Sequence, residues 1–528
     1  MSSESSGDAA ANRDEQLRLA RRVDWRFLLP SPRLGRVGVL GAPDDDLRRA
    51  LEFESIGPEL DRGGFDTVVV TGPIERETLG RAAAAVSPAG CMVVEVSGPW
   101  TRSLVTIRTN GPGVAVRVAR ILAAAGFGDV RTWWMWPDRA RARAWVRLDD
   151  RAALEALIDG RTGGRAGPLG SRLAARLVAG DAVASLLPAV TIVASHDPNP
   201  SLLERRLGDD DPISGEIPAG LMVVTPRFRA SAHVVGLSID PTTRSIRRVA
   251  KVARLVDDTS LQHEASVLAA LAHGRSDTGR HPALVDAPGL ATDVGGETWP
   301  VLVETGVAGS PMSPAVVRAD RAGAVHGIVG WLETLPVSDP SQRLVPVADR
   351  LDDALATVER SAHGQPRLLS LVARTRSVVG PLRHVPLPKV FEHGDAAHPN
   401  LLREDDGRVG AVDWERGEPD GLPLHDLTMA LAYVASAARG ATKPSAQATA
   451  FRRAMSGPDP WAREVLDAEV VRLGIPSETR RPLVVAAWLR TVAWLAGHLG
   501  GDVSTVEWLL GDRSVALWAT ALDLAEAG

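Results

Sequence analysis

The chain has 528 residues, 45% hydrophobic and 24% charged, with a formal net charge of −5. That is ordinary globular composition and suggests roughly two to four domains at ~100–200 residues each, large enough to fold without disulfide or metal staples. Its one cysteine, Cys91, excludes an internal disulfide or Cys-based zinc site, and the acidic balance offers nucleic acid no electrostatic footing.

The polar, acidic start MSSESSGDAAANRDEQ is not a secretory signal, so a cytoplasmic location is expected. Residues 1–22 read as a disordered tail ending in a short charged helix. From Gly35 the pattern turns α/β. The strand RVGVLG ends at Gly41 and runs through Pro43 into the helix start DDDLRRAL. FDTVVVTG, 65–72, has the continuous apolar run of a buried parallel strand. A helix over 74–86 and the strand CMVVEVSG follow. Next come the amphipathic helix VAVRVARILAAAGF, closed by Gly126, and the strand VRTWWMWPD. After a helical, Gly-rich interval comes AVTIVASHD at 189–197. This alternation predicts a doubly wound α/β domain over 23–197.

The prolines, glycines and aspartates of 198–216 predict a linker. Beyond it, 217–308 carries short strands and one helix, and 309–528 is mostly helical, an α+β arrangement of two lobes. The most apolar helical stretch, 482–499, is interrupted by Arg490 and His498, so no membrane span is expected.

The strongest chemical signal is FEHGDAAHPNLLREDDGRVGAVDWE, 391–415. Asp395 follows His393-Gly394, and Asn400 comes five residues later. A turn at 404–407 then sends the strand VGAV back to deliver Asp413. Phosphoryl transfer needs such a set: a carboxylate to orient and deprotonate a hydroxyl, and hard oxygen ligands to hold Mg²⁺. Asp395 is the expected base, with Asn400 and Asp413 as metal ligands.

These residues resemble the aminoglycoside phosphotransferase and choline kinase family, which carries H-G-D-x-x-x-x-N and a metal-binding Asp beyond a short hairpin. In that resemblance Asp426, within DWERGEPDGLPLHDL, braces the catalytic loop. One departure is His398, three residues after Asp395 where many members have a His at two. The resemblance implies a bilobal, protein-kinase-like fold, ATP and Mg²⁺ as cofactors, and a small hydroxylated molecule as acceptor.

The upstream lobe follows the same pattern. Lys251 lies on the strand IRRVAKVAR, one of few lysines in an Arg-rich chain, and Glu264 comes thirteen residues later on the helix LQHEASVLAAL. In kinases a strand Lys holds the α- and β-phosphates and is itself held by a helix Glu. Backbone groups from Glu304 to Val307 are expected at the adenine edge. The loop expected over the phosphates, 226–231, has no glycine; Arg227 and Arg229 either contact phosphate or face solvent. Glu415, Glu418, Asp420 and Asp467 would suit a cationic acceptor or form a solvated face.

Residues 23–197 resemble a class I S-adenosylmethionine methyltransferase domain in their later strands. Only Gly41 follows the first strand where a glycine-rich turn is needed, and the stretch to Phe65 is too short for two more strand–helix units. The domain therefore reads as degenerate, and S-adenosylmethionine is not expected to bind. The reading is an ATP- and Mg²⁺-dependent phosphotransferase acting on an alcohol group. Two alternatives stand beside it: a pseudokinase-type nucleotide sensor or scaffold, and a methyltransferase with a regulatory kinase-like domain. Oligomeric state is not legible.

Overall fold

The computed structural model describes residues 13, 15–54, 63–72, 74–97, 114–137, 142–162, 189–208, 220–226, 231–273, 279–286, 299–338, 347–498 and 503–527. Arg227 and Arg229 lie outside these. The chain divides into a sheet unit, Gln16–Leu261 with Val285–Gly306, and a helical unit, Gln262–Leu284 with Val307–Gly528 and Met1–Glu15.

The sheet unit is built on β1 (Val37–Gly41), β2 (Phe65–Thr71), β3 (Val86–Ser97), β4 (Asp129–Trp136), β5 (Ala144–Arg147), β6 (Ala189–Ser195), β7 (Leu221–Val224), β8 (His233–Ile239), β9 (Ile246–Ala253), β10 (Leu284–Asp286) and β11 (Val301–Thr305). They form one sheet in the order β1-β2-β3-β6-β4-β5-β7-β8-β9-β11-β10. The valine run of β2 is explained by burial on both faces. Val69 joins a core with Trp25, Phe27 and Trp133, while Val68 and Val70 join another with Leu79, Met92 and Leu122.

The pairs β1–β2 and β2–β3 are parallel. β6 runs antiparallel between β3 and β4, and β5, which the sequence reading missed, pairs antiparallel with β4 and β7. The expectation of a doubly wound sheet throughout is therefore corrected. The stretch from Trp136 to Ala144 is too short for the crossover that a parallel return requires, about a dozen residues or more.

The linker expectation for 198–216 is corrected where the chain is described. Leu202–Leu207 is a helix, with Ser201 and Glu204 forming a reciprocal capping box. Its Leu203 packs on Gly236 of β8, where an added Cβ would come within 2.8 Å of the leucine. Arg131 of β4 holds the buried Glu204 at 2.6 Å. Farther along, Arg254 pairs with Asp24 at 2.8 Å, both side chains almost wholly buried. Residues 24–28 are thus built into the same core as β9 and β11.

The helical unit packs around Trp331, Trp414 and Trp518. Its central helix, Arg480–His498, buries most of its surface, against Val347–Ser361, Pro366–Val379 and Arg513–Glu526 among others. Two small sheets interrupt the helices: β12 (Ser310–Pro311) with β14 (Leu401–Arg403) and β15 (Val409–Ala411), and β13 (Val390–Glu392) with β16 (Glu418–Gly421). Among the described residues no helix is long and apolar enough to cross a membrane.

Candidate functional site

β13 ends at Glu392, and the chain turns sharply through His393-Gly394-Asp395. Gly394 has φ +81°, and a Cβ there would lie 2.5 Å from the Arg416 carbonyl oxygen, so the turn requires glycine. The fully buried His393 ring is held between both its nitrogens. Nδ1 accepts from the Asp395 backbone N–H (3.2 Å), and Nε2 faces the Val412 carbonyl at 3.0 Å. Only the tautomer protonated on Nε2 satisfies both. Trp331 and Trp414 pack its faces and edges at centroid distances of 6.0 and 4.6 Å.

Asp426, in the first turn of the helix His425–Ala438, accepts from His393 N at 2.6 Å and Gly394 N at 2.9 Å. Both carboxylate oxygens are thereby spent on the loop. Asn400 donates from Nδ2 towards the Asp395 carbonyl (3.2 Å) and Oδ2 (3.3 Å), which turns its own Oδ1 the other way. The hairpin of β14 and β15 pairs Leu401 with Ala411 and Arg403 with Val409. It leads to Asp413, which has φ 72°, the left-handed region that Asp tolerates better than most residues.

Glu264, fully buried on the helix Ser260–His273, accepts from the Trp414 backbone N–H at 2.8 Å and so steadies the residue after Asp413. In the sheet unit, Lys251 is buried on β9 with Nζ 4.0 Å from Glu304 Oε1. The β9–β11 register puts Leu302 opposite Lys251 and Glu304 opposite Val249, so Lys251 and Glu304 share a face. The sequence reading gave Glu304 only a backbone role; its buried side chain beside Lys251 was not foreseen. Val307, in the helical unit, packs against Gly410 of β15.

Beneath the loop lies a charge network the sequence reading missed. Arg490 donates to Glu392 (2.7 Å) and Glu418 (2.9 Å), and Arg350 reaches the other oxygen of Glu418. The one sequence signal was a single cation in the apolar run 482–499, read only as a break in hydrophobicity. Burial raises Glu392, but Arg490 outweighs it and holds this carboxyl below the usual range. Asp426 is raised well above it, by burial first and then by the Glu392 charge. His425 is pushed down to about 4, chiefly by burial. Arg490 Nη1 lies 3.3 Å from His425 Nδ1, a contact that suits a neutral ring accepting there.

A cavity of about 600 Å³ opens within the helical unit, lined by Asp353, Gly394, Arg416, Glu418, Arg490 and Trp494 among others. Of the acids considered for a cationic acceptor, Glu418 is held as above, Asp420 by Lys389 (2.8 Å) and Asp467 by Arg480 (2.8 Å).

No curated protein matches the chain. Distantly similar solved structures include a thermostable mutant of aminoglycoside phosphotransferase APH(4)-Ia in complex with ADP and hygromycin B. It is 12% identical, with 57% of this chain and 93% of that one covered and a TM-score of 0.38. An ethanolamine kinase of Plasmodium vivax is 9% identical, with coverages of 58% and 83% and a TM-score of 0.36. A choline/ethanolamine kinase family protein of Mesorhizobium loti is 15% identical, with coverages of 62% and 98% and a TM-score of 0.34. The site just described, from Asp395 to Asp426, falls inside residues 237–464, which match the model of the phosphotransferase enzyme family.

Proposed function

We propose that this protein transfers the γ-phosphoryl group of ATP to a hydroxyl of a small molecule, with Asp395 as the base. The observation that carries the reading is the loop itself. Asp426 fixes the backbone at His393 and Gly394, and Asn400 reaches back to Asp395. Catalysis of this kind is mostly positioning and electrostatics, so a braced carboxylate is what it needs.

The donor set suits Mg²⁺. Asn400 Oδ1 and the Asp413 carboxylate are hard oxygen ligands, and Mg²⁺ commonly takes only one or two carboxylates beside waters and phosphates. When bound, the ion would neutralise charge on the transferring group. In the same reading Lys251, beside Glu304, serves the α- and β-phosphates, and the backbone from Glu304 to Val307 serves the adenine. A cytoplasmic setting fits an ATP-dependent reaction.

For residues 23–197 we infer a methyltransferase-like remnant that does not take S-adenosylmethionine. The parallel run β1-β2-β3 supports the relationship. Against cofactor binding stands Gly41: its φ is +103° and a Cβ would lie 1.8 Å from the Thr71 carbonyl oxygen. That glycine serves close strand packing, which leaves no glycine-rich turn for a ligand.

Thermal shift with Mg-ATP tests the main reading, since a ligand bound only by the native state raises the melting temperature. Wild type should shift and Asp413→Asn should not, while both melt alike without nucleotide. No shift for wild type at millimolar Mg-ATP would overturn the phosphotransfer reading in favour of a scaffold.

A further inference from the structure

Arg416 is the cavity arginine whose ion pair, with Asp395, is long and lacks a hydrogen bond. The cavity's other arginines are engaged: Arg490 by Glu392 and Glu418, Arg350 by Glu418. Asp420 is taken by Lys389, and the remaining acid, Asp353, is exposed to solvent, where water and salt screen it.

The Arg416 side chain is 13% exposed and its guanidinium lies over Trp494, its Cζ 3.2 Å from a ring centroid. Its Nε is buried with no hydrogen-bond partner among the described residues. The carboxylate it faces, Asp395 Oδ1, is 3.8 Å from Nη1, too far for a hydrogen bond. A largely buried guanidinium whose Nε lacks an acceptor, and whose Nη groups have only a distant carboxylate, is costly unless something accepts from it. It is also pre-organised, because the indole beneath it fixes the plane of the fork. The acceptor's hydroxyl must approach Asp395, so the rest of that molecule lies where this fork can reach it.

We infer that Arg416 is an anion-recognition residue of the acceptor cavity, and that the molecule phosphorylated there is a small hydroxylated anion bearing a carboxylate or phosphate group. Planar, bidentate recognition of either group is what a fixed guanidinium does best. The substrate class rests on the phosphotransfer reading; the anion site does not.

The test compares four small alcohols: glycerate, glycerol 3-phosphate, glycerol and ethanolamine. Calorimetric binding to wild type, Arg416→Met and Arg416→Lys is measured without nucleotide, and ADP release with Mg-ATP. Glycerate or glycerol 3-phosphate should bind wild type and be turned over, and whichever binds distinguishes carboxylate from phosphate. Glycerol and ethanolamine should not bind. Arg416→Met should weaken the anion by about ten-fold or more, Arg416→Lys by less, with Mg-ATP binding and cooperative melting retained in both. Anions that fail to bind, or bind Arg416→Met as well as wild type, overturn the inference even if Mg-ATP binds. So does an equal drop in kcat for every acceptor with KM unchanged, which would put Arg416 on the transferring phosphoryl group. Anion binding without Mg-ATP binding overturns only the phosphotransfer reading.

Discussion

Asp426 sits at the base of the loop, and its two hydrogen bonds make it a positioning residue with a measurable structural share. Asp426→Ala leaves the buried N–H groups of His393 and Gly394 without acceptors, each costing about 1–3 kcal/mol. The expected loss is about 3 kcal/mol in a denaturant titration. Phosphotransfer should fall further than stability predicts, because Asp395 hangs from the same two residues. Next to it, His425 is buried neutral, with a folded pKa of about 4 against ~6.5 when unfolded. Between those values the unfolded chain binds the extra proton, so this group's contribution is present above pH ~6.5 and is lost as pH falls towards 4. The size is about 3 kcal/mol, and Glu392, Arg490 and Arg416 are the charges that face it. Asp426 acts with the opposite sign, since its raised pKa favours folding as pH falls. Comparing His425→Gln with wild type cancels that term. Wild type should lose more stability than the variant between pH 7 and pH 4.5, by urea denaturation.

At the scale of elements, the site is a strand, a glycine turn and a hairpin. Gly394→Ala puts a side chain at φ +81° and against the fixed carbonyl of Arg416. Left-handed strain alone costs about 1–3 kcal/mol. The loop should shift, so ADP release should fall by orders of magnitude, more than Mg-ATP binding, to which Asn400 on the same loop contributes only one ligand. This element was largely legible in the sequence, because its spacing is local: His393, Asp395 and Asn400 lie within one turn, and the hairpin from Leu401 to Ala411 announces itself through Asp406-Gly407. What was not legible was long-range. The Arg490–Glu392–Glu418 pairing joins positions 98 and 72 residues apart. Nor does any local pattern tell that Glu304 turns its carboxylate to Lys251 or that Arg416 lies over Trp494. Such contacts are set by tertiary packing, to which hydrophobic period and turn chemistry are blind.

At the scale of the whole molecule, the sequence divides where the sheet does not. The composition of 198–216 marks a boundary, yet β5 and β7 pair across it, and one core takes Trp25, Phe27, Trp133 and Trp145 together with Val223, Val234, Ala250, Val252, Val301 and Val303. The region that matches the phosphotransferase family begins at residue 237, inside β8, and so takes in only part of that sheet. A fragment of residues 217–528 should therefore fail as an independent protein. It would uncover the five valines of that set at ~1.5–3 kcal/mol each when fully exposed, which approaches the whole stability of an ordinary domain, about 5–15 kcal/mol. It would also expose the edge of β7 to aberrant pairing. Expressed alone, the fragment should aggregate or melt without a cooperative transition, and co-expression with residues 1–208 should restore soluble material that co-purifies. A sharp, wild-type-like melt of 217–528 by itself would mean that the core shared by the two segments is dispensable. Residues 1–208 would then be a mere neighbour of residues 217–528, where the packing of Asp24 on Arg254 makes them a structural part.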